Sequence, residues 1–491
     1  VYHRGLTSAS QNIYLNLTNA ASTATSIWNS TAPTSTEFSV GTATVVNASG
    51  GTYVAYLFAH DAGGFGAAGT DNVITCGSYT GNGSATGPTI TLGYEPQWIL
   101  IKRAVGGTAG WILHDTMRGL PTGGNSNYLQ ANASDAETGP ANYVDVNATG
   151  FQLKTTGASW NASGSTYIYI AIRRPMKTPT SGTSVYNALT YTATNTPRYL
   201  SGAGFPPDAF LWASRSSGDP HTLQARLTEQ WLQTTSTAAE STQTFTAGSQ
   251  GDKLSGWQDG AYWYDSFGYT NYATTSDVIY YFRRATGFFD VVCDTGTASG
   301  HTINHGLGVV PELMIRKKRN SATNSDWVVW HTLFSGTNKY LYLNSTAAED
   351  TNAAFWTTTA PTSTVFSVGT GSRVNNSGDT YVTYLFATVA GVSKVGSYTG
   401  TGTTLTIDCG FTAGARFVMI KRTSSTGDWY VWDTARGIIS GNDPYLLLNS
   451  TAAEVTNTDY IDPVNSGFQI SSTAPVQING SGGTFIYLAI A

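Results

Sequence analysis

Aromatic side chains interleaved with carboxylates mark the stretch of this chain best equipped to recognise a ligand. It runs Gly256-Trp-Gln-Asp-Gly-Ala-Tyr-Trp-Tyr-Asp-Ser-Phe-Gly-Tyr-Thr-Asn-Tyr272. Aromatic faces stack on sugar rings, and neighbouring Asp or Asn side chains accept hydrogen bonds from sugar hydroxyls. Trp257, Asp259, Tyr262, Trp263, Tyr264, Asp265 and Tyr269 are therefore the candidate glycan-binding residues. The same composition also suits an aromatic strand pair packed in a core or at a module interface.

Residues that could hold a metal or move a proton are less well placed. His301 and His305 stand at i and i+4, a spacing that brings two ligands to one side of a helix. They precede Gly306-Leu-Gly308 on an expected strand, however, and no Cys, Glu or Asp cluster completes a site. His3, His331 and Asp433 share one repeat position, where changing chemistry fits a surface or strand-end residue better than a catalytic base. Glu137, Glu240, Glu349 and Glu454 recur at another position, one per repeat. A polysaccharide depolymerase would need two carboxylates about 5–10 Å apart in one cleft, so these acids are expected in turns or caps. No nucleophile elbow, phosphate loop or His-Glu-x-x-His stands in a suitable setting. The reading is a non-enzymatic chain with no metal and no cofactor.

The elements that carry these residues follow from composition and repetition. Charged residues make up 11% of the 491, far below the usual quarter, while 54 Gly and 28 Tyr join abundant Ser, Thr and Asn. That is strand and turn chemistry, and 12% aromatic residues give material for packed cores. A net charge of −5 supplies no basic field for nucleic acid. No apolar run is long enough to cross a bilayer. Cys76, Cys293 and Cys409 do not occupy matching repeat positions, which argues against a disulfide framework.

Internal similarity is extensive. Thr31-Ala-Pro-Thr-Ser-Thr-Glu-Phe-Ser-Val-Gly-Thr42 returns with one change as Thr359–Thr370, and Thr52-Tyr-Val-Ala-Tyr-Leu-Phe-Ala59 returns as Thr380–Ala387. Gly77-Ser-Tyr-Thr-Gly81 returns at Gly396–Gly400, and Ile101-Lys-Arg103 at Ile420–Arg422. A shared template emerges. An opening strand is followed by an apolar strand ending in basic residues, then by a Trp-led strand (Trp111, Trp327, Trp429). Next comes a segment of the type Tyr340-Leu-Tyr-Leu-Asn-Ser-Thr-Ala-Ala-Glu349, and last an Asn-x-Ser-Gly-x-Thr turn at Asn47, Asn161, Asn375 and Asn479 that leads into the closing strand. Trp231-Leu-Gln-Thr-Thr-Ser-Thr-Ala-Ala-Glu240 lays a diverged copy on the same template.

Five modules result: 1–62, 73–175, 176–285, 286–389 and 390–491, in an A-B-C-A-B order. The first, at 1–62, lacks the opening strands of the others, and the last stops where Arg-Arg closes the second and third. Both ends therefore read as cuts in a longer polypeptide, or a neighbour completes the first module; a natural terminus with a swapped strand is the alternative. Each module offers seven to nine short strands and no long 3.6-residue apolar period. The expected fold is all-β: tandem β-sandwich modules of about 100 residues, jelly-roll-like. Strands such as Gln97–Ile101 and Tyr381–Phe386 are apolar on both faces, as befits strands covered on both sides or facing a neighbouring module.

The combination of Gly77-Ser-Tyr-Thr-Gly-Asn-Gly83, Ile-Lys-Arg before a Trp strand, Tyr-Leu-x-Leu-Asn-x-x-Ala-Ala, Ala-Pro-Thr-Ser and Asn-x-Ser-Gly-x-Thr-Tyr-Val-Ala-Tyr-Leu-Phe-Ala resembles a known repeat. It is a β-sandwich domain of unknown function found in virion and tail-fibre-like proteins of marine tailed bacteriophages, the cyanophage type. The resemblance covers the first, second, fourth and fifth modules well and the third weakly. It implies a virion location and a structural or adhesive role. The first hypothesis is a structural component of an extracellular phage appendage, a tail fibre or similar projecting fibre, that contacts the host surface. Repeats with apolar outer strands need partners, so the expected partners are copies of itself, as a homo-oligomer with a trimer as one option, together with other virion proteins and host surface glycan. The alternative is a carbohydrate-binding module array on a virion or cell surface, with the third module as the binding copy.

Overall fold

In the second to fifth modules the closing strand is the one on which the sheet is built. In a computed structural model, which describes residues 1–66, 68–139, 141–193, 198–216, 218–228, 230–240, 256–259 and 276–491, Thr484–Ile490 runs antiparallel between Ser393–Thr399 and Phe417–Arg422. Trp429–Asp433 and Leu446–Leu447 extend the sheet on the far side. First and last strands of the module are thus hydrogen-bonded neighbours, and the sheet closes within residues 390–491. The same order recurs around Thr166–Arg173, Ser276–Phe282 and Thr380–Phe386. Val, Ile, Tyr and Phe fill these strands because branched and aromatic side chains pack well on a pleated surface.

A smaller sheet completes each sandwich. In the last module Leu405–Asp408, Gly467–Ile470 and Ile461–Val464 form it. Between the two sheets lie Val418, Ile420, Trp432, Phe468, Ile470, Phe485 and Ala489, all buried. The third module has Arg198–Ser201 paired with Gly256–Asp259, and the fourth His301–Asn304 paired with Val365–Val368. The chain is all-β. Among the described residues its helices are four-residue turns such as Ser372–Asn375 and Val476–Asn479, plus one 3-10 turn.

Alternation along the closing strand accounts for both of its apolar faces. Phe485, Tyr487 and Ala489 enter the sandwich core, whereas Ile486, Leu488 and Ile490 point to the opposite face and are buried as well. A face that is apolar outside its own sandwich needs a neighbour. Two compact units supply the setting, residues Val1–Pro175 and Met176–Ala491.

The Asn-x-Ser-Gly motif does more than turn the chain. Its glycine takes φ of 71° to 78° at Gly50, Gly164, Gly378 and Gly482, a conformation that favours a residue without Cβ. At Asn161, Asn375 and Asn479 its asparagine is a buried plug. Asn375 Nδ2 donates to Ser299 O and Gly369 O, each at 2.7 Å, while its side-chain oxygen accepts Thr297 N–H at 2.7 Å. Asn161 and Asn479 make the equivalent bonds to the opening loops at Asn82 and Ser84 and at Thr401 and Thr403. The tyrosine that follows closes the turn: Tyr381 Oη donates to Ser372 O and accepts Asn376 N–H.

This plug ties the first loop of a module to its last turn, so its removal should loosen the whole sandwich. Asn375→Ala takes the side-chain partner from the Gly369 carbonyl and the Thr297 amide, while Ser299 O keeps the Thr297 hydroxyl, and should cost about 2 kcal/mol. Denaturant unfolding of the Met176–Ala491 unit, followed by tryptophan fluorescence, is the check.

Candidate functional site

The most chemically elaborate part of the described structure is the seam between modules. Within residues 176–491 the third, fourth and fifth modules touch in a cycle, third to fourth, fourth to fifth and fifth back to third. A backbone bond of one type marks each contact. Glu240 N–H donates to Arg319 O at 2.6 Å, Glu349 N–H to Thr423 O at 2.9 Å, and Glu454 N–H to Arg215 O at 3.0 Å. The acceptors Arg215, Arg319 and Thr423 follow one another at a constant spacing of 104 residues, as equivalent points of one repeat.

A lysine and a tryptophan lock two of these seams. Lys421 faces Trp429 across paired strands, and Lys317 lies over the ring of Trp327, the residue that leads the strand Val328–His331. Trp327 Nε1 donates to Gln233 O at 2.8 Å and Trp429 Nε1 to Tyr342 O at 2.9 Å, each reaching the preceding module. Lys317 Nζ donates to Ser236 O in the preceding module and to its own Ser325 O, and Lys421 Nζ to Thr346 O and its own Gly427 O. Each ammonium also lies 5.7 to 5.9 Å from the centre of its tryptophan ring. Burial draws these lysines down, Lys317 to about 7 and Lys421 to about 8. Carbonyl oxygens and the ring face take the place of water around the charge.

The Val1–Pro175 unit repeats this seam between its own two modules. Trp111 Nε1 donates to Tyr14 O at 2.9 Å, Lys102 Nζ to Thr18 O at 2.9 Å and to Ala109 O, and Ala21 N–H to Ala104 O at 2.9 Å. Type A therefore meets type B in the same way in both units.

The seam that closes the cycle uses other chemistry. Register places Ala213 and His221 of the third module where the others have lysine and tryptophan. In their stead, Arg215 grips the Glu454 carboxylate with Nε at 3.1 Å and Nη2 at 3.0 Å, and Arg436 reaches the same carboxylate at 3.2 Å. Arg436 and Asp433 form a pair with both side chains fully buried, and Tyr280 Oη donates to Asp433 Oδ2 at 2.9 Å. Arg416 donates to Tyr186 O and to Asn187 Oδ1. At the seam between third and fourth modules, Arg319 pairs with Glu240 at 2.9 Å. The second apolar faces meet at the centre of the cycle around a cavity of about 40 Å³. Leu211, Ile315 and Met419 line it from the three modules, again 104 residues apart.

The residues singled out in the sequence fare differently. Glu240 and Glu454 are inter-module ligands of arginine, a role beyond the expected turn or cap. Glu349 instead pairs with Lys339 of its own module, and exposed Glu137 accepts from Asn127. His331 and Asp433 do end their strands, as expected, but they are buried and not at the surface. Their strands, Val328–His331 and Trp429–Asp433, are buried along their whole length. His301 and His305 turn to separate partners, Asp294 with Thr297 and Thr362 O respectively. Among the described residues no group of three His, Cys, Asp or Glu side chains could hold a metal ion. Cys76, Cys293 and Cys409 are free thiols. Of the aromatic candidates, Trp257 lies opposite Leu200 and Asp259 opposite Arg198 in a backbone ladder. Tyr262, Trp263, Tyr264, Asp265 and Tyr269 lie outside the described residues. No helix among the described residues is long and apolar enough to cross a membrane, which leaves strands unaddressed.

The fold and its seams define a class: an all-β array of repeated sandwich modules, held to one another by buried lysine, arginine and tryptophan contacts. Within that class the chain belongs to the family described as Domain of unknown function (DUF7483), which matches residues 1–175 and 181–491. No curated protein matches it.

Two measurements probe these sites. Glu454→Ala strands Arg215 and deprives buried Arg436 of one partner, so it should lower the stability of the Met176–Ala491 unit by about 3 kcal/mol. Glu137→Ala, at the equivalent but exposed position, should stay within about 0.5 kcal/mol, both read from denaturant midpoints. The second concerns acid. His114 is wholly buried, with Nδ1 against Asn127 O at 2.9 Å and Nε2 accepting Trp160 Nε1–H at 3.0 Å, and burial pushes its imidazole down to about 4. A folded-state value below the unfolded one means that the unfolded chain binds the extra proton. The stabilisation is full above pH 6.5 and fades as pH falls toward 4, by roughly 3 kcal/mol in all. Thermal unfolding of the Val1–Pro175 unit should show this slope, and His114→Phe should flatten it.

Proposed function

We propose that the chain is a structural component of an extracellular phage appendage, a tail fibre or similar projecting fibre, and that it works as a building element with no catalytic role. The observation that carries this reading is where the buried charge goes. Lys102, Lys317, Lys421, Arg215, Arg319 and Arg436 are each committed to a carbonyl or carboxylate at a seam between modules. A removed partner would leave an uncompensated charge in a low-dielectric site, so such contacts favour one fixed arrangement over a loose string of domains.

Three sandwiches closed into a cycle around shared apolar faces make a rigid unit, as a projecting body requires of its building elements. The family resemblance in the sequence points to virions. In this reading the chain assembles with copies of itself and with other virion proteins, and its exposed Ser, Thr, Asn and Tyr surface meets the host.

Gold-labelled antibody raised against the recombinant chain tests the reading on phage particles in a lysate that carries the gene. Label on fibres projecting from the particle is the expected result. Label confined to the host cell interior, with bare particles, would reject it.

A further inference from the structure

The fourth and fifth modules differ at a polar corner of the template. In the fourth, Asp326 stands just before Trp327, and Asn344 Nδ2 donates to its Oδ1 at 3.1 Å. Arg373, two residues before the plug asparagine, donates from Nε to Asp326 Oδ2 at 2.7 Å and lies 5.8 Å from the centre of the Tyr342 ring. Its guanidinium is thus held by a carboxylate and an aromatic face, the two contacts that suit this flat cation best.

The fifth module has the receiving half of this arrangement. Asp428 precedes Trp429, and Asn449 Nδ2 donates to Asp428 Oδ1 at 2.7 Å. A tyrosine again occupies the adjacent ladder pair: Tyr342 faces Val328 in the fourth module and Tyr430 faces Leu447 in the fifth, so the ring has moved one strand over. Tyr445 lies 5.1 Å from the Tyr430 ring and 5.6 Å from that of Tyr460. Burial, and next the nearby Asp428 charge, raise the Tyr430 phenol above its ordinary value, which places the carboxylate beside these rings. The arginine, however, is replaced by Gln477. Among the described residues Asp428 Oδ2 accepts no hydrogen bond. The cations of this region are engaged elsewhere, Lys421 with Thr346 O and Gly427 O and Arg422 with Val476 O at 3.0 Å. Asp428, Tyr445, Tyr460 and Gln477 are all partly exposed, so the corner is open to solvent. The second module has neither charge, with Gly110 before Trp111 and Ser159 in the turn, so the carboxylate is no fixed requirement of the template.

We propose that Asp428, with Tyr430, Tyr445 and Tyr460, is a binding site for a guanidinium group, the arginine side chain of a protein partner, which takes the part that Arg373 plays in the fourth module. Asp428 Oδ2 accepts its N–H groups, and the tyrosine cluster receives its flat face. A protein side chain suits the corner better than free arginine, whose own carboxylate would bring a like charge toward Asp428. This inference goes beyond the appendage reading and does not depend on it.

The test titrates N-acetyl-arginine amide into the full chain and follows saturation-transfer NMR of its side-chain methylenes. Binding with a dissociation constant on the order of 1 mM is expected. N-acetyl-lysine amide should bind about fivefold more weakly, because an ammonium lacks the flat fork. Asp428→Asn should weaken binding by about tenfold or more. Gln477→Arg should do the same by supplying the guanidinium from within, and adding Arg373→Gln to Asp428→Asn should restore binding at the fourth module's corner. Melting curves that match the parent chain show that these variants fold. No binding, binding unchanged by both Asp428→Asn and Gln477→Arg, no recovery with Arg373→Gln, or a lysine compound that binds as tightly would overturn the proposal. Tighter binding of free L-arginine than of the amide would overturn its assignment to a protein side chain.

Discussion

The closing strand of a module is apolar on both faces, and the rest of the architecture follows from covering it twice. One face is satisfied inside the sandwich, by the smaller sheet and the residues around Trp432 and Phe468. The other, carried by Leu488 and Ile490 and by Tyr384 and Phe386 in the fourth module, lies outside its own sandwich and is still buried. At roughly 25 cal/mol for each Å² of apolar surface removed from water, a strand face of this kind is too costly to leave wet. Modules therefore meet sheet to sheet, and only at the edges of that contact do lysine, arginine and tryptophan have backbone carbonyls to reach.

Much of this was legible in the sequence because it is local or periodic. The repeats, the strands, the few short helices and the doubly apolar closing strand follow from residue type and spacing. The asparagine turns were legible as turns. Their second role, plugging the opening loop 76 to 79 residues away, was not, since nothing in Asn-x-Ser-Gly states which carbonyls it will meet. The lysine in Ile-Leu-Ile-Lys102, Met-Ile-Arg-Lys317 and Val-Met-Ile-Lys421 was a missed signal. A charged side chain in mid-run, with a tryptophan eight to ten residues on, marks a cation held between a ring and carbonyls. Arg215 and Glu454 were beyond reach, being 239 residues apart in sequence and joined only by the closing of the cycle.

The third module departs from the template at the positions that touch the fifth. Ala213 and His221 replace the lysine and tryptophan, and Arg215, Tyr280 and Asn187 take up the contact with Glu454, Asp433 and Arg416 instead. Sequence divergence here is a change of partner. Three seams with two chemistries also give the array a direction, because a type B module offers its Glu454 and Arg436 to a type C surface and its lysine and tryptophan to a type A surface. Unpaired charge in the wrong order works against mis-assembly.

Three sandwiches joined by peptide links of a few residues meet at an effective concentration set by the linker, in the millimolar range for short connections. A trio of separate subunits with the same seams would fall apart on dilution; this one carries its neighbours with it. Because its three-way contact is intramolecular, the Met176–Ala491 unit keeps it at any protein concentration, so its individual seams can be weak, polar and asymmetric, and are free to diverge one at a time.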